Sequence, residues 1–301
     1  MKKTLLRKIT TRLAGSAAAV LMTIGVLGAP SALAAIASGK HDLSPTGGGG
    51  GGAGSFAATA GNTEICVFCH TPHGADVTAG RPPLWNRNNS TATFQTYASL
   101  GSASLDGGTA AVGSISIACL SCHDGTQAMN TMINAPGSGL GAGVYAGTWT
   151  AGTRVNVAGK MISFANLNDG TNGLKNDHPV GIQYGGGLTG GVTAVYPSTN
   201  ILTAAFKDPD FRGITYGALN GQPAWYVETS GSANGRQKTD LILYTRGAQT
   251  LTMTDGTTSA ATLGNQAFVE CGSCHDPHSS NTTFLRLPNL GSAVCLACHI
   301  K

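Results

Sequence analysis

Hydrophobic positions along this chain seldom keep a 3.6-residue period for more than a turn or two. Long amphipathic helices are therefore not expected over most of its length. One apolar run does stand out, at residues 13–27, directly after Lys2, Lys3, Arg7, Lys8 and Arg12 and ahead of Ala32-Leu33-Ala34. A basic start, an apolar stretch and a small-residue site together read as an export signal over residues 1–34. The run is short for a bilayer span, and no other stretch approaches the ~20 apolar residues a span needs. No membrane span is expected in the mature chain. Residues 125–270 are rich in Gly, Ser and Thr and dense in turn signals. β-like runs at 192–196, 225–228 and 241–244 are set among Gly, Pro, Asn and Asp, which predicts a few short β-hairpins among loops.

Cysteine changes this picture, because all eight fall in four Cys-x-x-Cys-His pentads: Cys66, Cys69 and His70; Cys119, Cys122 and His123; Cys271, Cys274 and His275; Cys295, Cys298 and His299. On a helical turn the two thiols share one face, where both can add to the vinyl groups of one porphyrin, and the histidine meets the iron. A zinc cage of four thiolates, or a redox dithiol, would use the cysteines but not the histidine. The expectation is four covalently bound haem c groups. Four histidines remain, His41, His73, His178 and His278, one for the distal face of each iron. With all four in use no position is open to substrate, so no catalytic residue is assigned and the chemistry is electron transfer. Met129, Met132, Met161 and Met253 recur in no shared context and read as packing. The competing enzyme reading, a reductase of a small oxyanion, needs one unligated iron with Lys40, Tyr184 or Arg212 assisting protonation.

The pentads fall into a repeat. Each half runs Cys-x-x-Cys-His-x-Pro-His and then Cys-Leu-x-Cys-His, with His41 or His178 upstream beside Asp42 or Asp177. The expected organisation is a signal at 1–34, a first two-haem module at 35–124, a Gly/Ser/Thr-rich loop and hairpin region at 125–270 carrying His178, and a second two-haem module at 271–301. His73 follows His70 by three residues with a proline between, so it should serve a different iron from His70, and likewise His278 from His275. The preferred pairing sends His41 to the first haem, His73 to the second, His178 to the third and His278 to the fourth, with exchanged partners left open. The Gly47 to Gly52 run would give His41 a flexible arm able to reach a neighbouring subunit. Asp42, Asp124, Asp177 and Asp276 each neighbour a ligand histidine and could take its Nδ1 proton or face solvent. Trp85 could pack on a porphyrin or in an ordinary core.

Charge narrows the partners. The formal +4 falls to −1 once the five basic residues of the signal are removed, and haem propionates would make the mature protein more negative. Nucleic acid and anionic membranes are disfavoured. Charged residues are only 11% of the chain, against ~25% in ordinary soluble domains. Such a surface suits burial in an assembly, or is simply polar and uncharged. Glycine, 44 of 301, is about twice its usual share, so covalent haem and axial bonds are needed to order the chain.

The segments Lys40-His41-Asp42-Leu43-Ser44, Cys69-His70-Thr71-Pro72-His73-Gly74-Ala75, Pro83-Leu84-Trp85-Asn86-Arg87 and Asn176-Asp177-His178-Pro179-Val180, with the doubled C-terminal pentad, resemble multihaem cytochromes c of metal-respiring bacteria. Among these the chain is most similar to exported tetrahaem cytochromes that polymerise into extracellular conducting filaments. The resemblance implies a multihaem cytochrome c fold of mostly loops and short helices around four covalent haems. It also implies bis-histidine irons and a haem stack continuing through a homopolymer, with other redox proteins or an extracellular acceptor as partners. The expected location is secreted, on an extracellular or cell-surface filament. A soluble periplasmic electron shuttle is the alternative.

Overall fold

The computed structural model describes residues 36–37, 39–44, 55–58, 64–78, 82–136, 143–177, 179–191, 194–219, 222–231, 235–246, 249–253, 258–261 and 266–300. The signal, the hexaglycine and His178 lie outside them. Three α-helices each carry a pentad: α1 (Ser114–His123) ends on the second, while α2 (Cys271–Cys274) and α3 (Ala293–Cys298) hold the third and fourth. The first pentad begins instead on a 3-10 turn, Cys66–Phe68. His70, His275 and His299 donate their backbone N–H to the carbonyls of Cys66, Cys271 and Cys295 at 2.8, 3.0 and 2.9 Å. Each such loop is one closed helical turn, which keeps its two cysteines on one side. In the third, Gly272 is required by space, since a Cβ there would run into the Tyr244 hydroxyl and Ile115.

Strands are short and antiparallel. Thr215–Leu219, Gln222–Val227 and Leu241–Leu243 form a three-stranded sheet in which Trp225 lies opposite both Tyr216 and Leu243. The runs expected at 225–228 and 241–244 are in this sheet. The run at 192–196 is not a strand over its described residues, 194–196. Its Tyr196 is buried with its ring 5.7 Å from that of Trp225, so its apolar character serves packing. A pairing without sequence signal joins Ser55–Ala58 to Gly147–Thr150.

The apolar clusters are small, and the main ones reach a pentad. Trp225, Leu241 and Leu243 of the sheet pack with Tyr184, Phe206 and Ile214, and Val294, Ala297 and Cys298 of α3 lie against them. Phe56, Phe68, Met129, Met132, Tyr145 and Trp149 make a second cluster that Cys69, Cys122 and Met161 join. Leu120, Leu174 and Val180 form another, with Cys271 against it. Full burial of one such side chain contributes about 1.5–3 kcal/mol. The cores therefore anchor the Cys-x-x-Cys-His loops as much as they hold the fold together.

Candidate functional site

The four loops form one file. The Cys69 thiol is pushed up to about 12 by burial and next by the Cys122 thiol, which places the first loop beside the second. Cys119 and Cys271 hydrogen-bond through their sulfurs, joining second to third. Burial raises Cys274 to about 11, with Cys271 and Cys295 also near it, and raises Cys298 to about 12 with Cys274 beside it, joining third to fourth. All eight cysteines are free thiols. Among the described residues no three His, Cys, Asp or Glu side chains converge on a site that could hold a metal ion.

Two residues clasp the first pair of loops. Asn86 donates its backbone N–H to the Cys69 carbonyl at 2.9 Å and its amide to the Val67 carbonyl at 2.7 Å. Arg87, next in sequence, donates to the Ser121 hydroxyl and carbonyl, both at 3.1 Å. At the second junction, Ser116 of α1 donates to the Glu270 carboxylate and accepts the Cys271 N–H at 3.0 Å. Glu270 also caps α2 in a reciprocal box with Ser273 and pairs with Arg246. Burial holds Arg246 down at about 10.

Carbonyls aim three of the pentad histidines. The Nδ1–H of His70, His123 and His275 donates to the carbonyls of Pro83, Ala165 and Thr283 at 2.8, 2.9 and 2.8 Å. This leaves each Nε2 lone pair for a metal. The segments that supply Pro83 and Thr283 are structural repeats: His70 bridges to Trp85 as His275 bridges to Leu285. Leu84 and Phe284 take left-handed φ of 58° and 57°. That conformation costs about 1–2 kcal/mol for a side-chain-bearing residue and turns the preceding carbonyl onto the imidazole. Of the four aspartates beside ligand histidines, Asp276 faces an Nδ1, that of His278 at 3.4 Å. Asp42 and Asp124 are buried and accept from Ser44 and from Ser90 and Thr126 instead. Trp85 is buried beside His70, and its indole N–H has no partner.

The histidines meet in pairs. His70 and His278 have ring centres 6.1 Å apart with planes 17° from parallel, and His41 and His123 are 6.3 Å apart with planes at 70°. Two imidazoles bonded to opposite faces of one iron through bonds of about 2 Å have ring centres about 6 Å apart, so both pairs fit that group. His41 is stacked on Phe284 at 4.1 Å. Burial pushes it down to about 4, and burial likewise lowers His70 and His123, so these rings are neutral and able to ligate near pH 7.

This arrangement differs from the preferred pairing. His41 lies beside the second proximal histidine rather than the first, and His278 beside the first rather than the fourth. The physical reason is the path of the 276–286 segment, which sets His278 beside His70 and Phe284 on His41. His73 is exposed and its carbonyl accepts from Thr71 and Asn134. His299 packs on Phe211 at 4.3 Å. The structure brings no second histidine within ring contact of His275 or His299 among the described residues.

The doubled Cys-x-x-Cys-His family model matches residues 266–301, which hold the third and fourth pentads. No curated protein matches the chain. The doubled motif suggests a multihaem c-type cytochrome with covalently bound haem c that transfers electrons. No helix of the described residues is long and apolar enough to cross a membrane.

Proposed function

We propose that the chain is an exported tetrahaem c-type cytochrome whose bis-histidine sites carry electrons, and that it works as the subunit of an extracellular conducting filament. The observation that carries this reading is the adjacency of consecutive pentads, with the Cys122 thiol near Cys69, Cys119 hydrogen-bonded to Cys271, and Cys274 near Cys298. Covalently bound haem supplies a one-electron iron couple at each position. The chain's own residues fix the spacing through Asn86, Arg87, Ser116 and Glu270, and aim the imidazoles through the Pro83, Ala165 and Thr283 carbonyls. His41 and His278 close the distal side for His123 and His70, while His73 and His178 remain for His275 and His299. No substrate position is needed, and the protein is read as an electron carrier rather than an enzyme.

The filament reading draws on the two ends of the file. Cys66 and Cys295, the first cysteines of the first and fourth pentads, are exposed while the other six are partly covered. Near them Leu84 is 53% and Leu290 90% exposed, and α3 buries none of its residues. Head-to-tail contact between unlike ends does not close on itself and gives an open polymer. Negative-stain microscopy of the purified holoprotein, with an absorption spectrum of the same sample, tests this. Uniform filaments with low-spin haem are expected. Monodisperse particles with the same spectrum would make the protein a diffusible shuttle, and a high-spin component would restore the reductase reading.

A further inference from the structure

Arg87 is the one lysine or arginine among the described residues that is fully buried, at 0% exposure. Its guanidinium donates to the Ser121 hydroxyl and carbonyl at 3.1 Å, the Met129 carbonyl at 2.7 Å and the Ala128 carbonyl at 3.2 Å. Every acceptor is neutral, and no carboxylate among the described residues pairs with it. Arg246 and Arg286, by contrast, have Glu270 and, at 3.9 Å, Asp276. Burying an unpaired charge is strongly unfavourable, and hydrogen bonding to carbonyls could be had from a neutral side chain. The charge is also placed with care. Asn86 binds inside the first Cys-x-x-Cys-His loop, Arg87 inside the second, and Cys69 and Cys122 share the core beside it.

We propose that Arg87 is a potential-setting residue for the first two haems, a fixed charge that favours their ferrous state. Reduction adds one electron to each iron, supplied by a redox partner or an electrode, and lowers its charge by one, so a nearby uncompensated cation favours the reduced form. Low local dielectric strengthens that preference. At the other loops the same device is muted. Arg286, which donates to the Gly272 carbonyl at 2.9 Å, faces Asp276, and Arg212, which donates to the Leu296 carbonyl at 3.0 Å, is exposed to water and screened.

This inference rests on the haem reading above. It is tested by spectroelectrochemical titration of the holoprotein, alongside covalent haem content on denatured protein. Arg87→Gln should lower the midpoints of two haems and leave two unmoved, Arg87→Lys should retain most of the wild-type curve, and Arg286→Gln should move it less than Arg87→Gln. Ser121→Asp, which keeps Arg87 but sets a carboxylate against its Nε, should lower the same two midpoints and covers the case in which Arg87→Gln does not accumulate. Full haem content with an unmoved curve in Arg87→Gln or Ser121→Asp would overturn the inference, as would an equal shift from Arg286→Gln. Absence of covalent haem in the unsubstituted protein would instead remove the proposed function itself.

Discussion

His41 and His278 are the residues on which the coordination scheme turns, because each reaches a proximal histidine outside its own sequence neighbourhood. His278→Ala is expected to make one iron high-spin, the one held by His70, and His41→Ala to do the same for the one held by His123. The double variant should show two high-spin haems, since the sites are separate. Absorption in the oxidised state reads this directly, and unchanged spectra would remove the residue concerned from the ligand set. The four Cys-x-x-Cys-His pentads were legible in the sequence because each is local, one helical turn or close to it. Which histidine meets which in space was not. Proline between His70 and His73, and between His275 and His278, says only that the second histidine leaves its own haem. The Nδ1 acceptors were equally hidden, since a carbonyl carries no side-chain signature and the neighbouring aspartates drew attention instead.

Among the elements, α2 depends most on residues outside its pentad. Ser116 links α1 to its first turn through both the Glu270 carboxylate and the Cys271 N–H. Ser116→Ala removes a buried hydroxyl and leaves those partners short of a bond, which should cost about 1–3 kcal/mol. Denaturant unfolding of the holoprotein measures it, with haem content expected to stay intact. Trp225→Ala, in the sheet that backs α3, should cost more, about 3–5 kcal/mol, and an unchanged unfolding midpoint would contradict the packing described for that core. The two legible strands, within 222–227 and 241–243, have partners close in sequence and side chains buried in the core. The run at 192–196 had the same residue types, but over 194–196 it is not a strand and Tyr196 packs on Trp225; the 55–58 strand pairs across nearly a hundred residues, beyond what local pattern reports. Ser116, Glu270 and Arg87 left no motif, as their meaning comes from loops brought together only by the fold.

For the whole molecule, thin clusters wrapped around attachment loops predict that order depends on the cofactor. Protein made without haem attachment should lack a cooperative unfolding transition by circular dichroism, while the holoprotein shows one; equal cooperativity would mean that the side-chain cores suffice. The central claim, four bis-histidine electron-carrying haems in one file, is met most directly by electron paramagnetic resonance of the fully oxidised holoprotein, quantified against protein concentration. Near-parallel imidazole planes, as for His70 and His278 at 17°, give a rhombic low-spin signal, and near-perpendicular ones, as for His41 and His123 at 70°, a strongly anisotropic one. The account predicts four low-spin irons per chain with both signal types present. A high-spin signal, or fewer than four irons per chain, would contradict it.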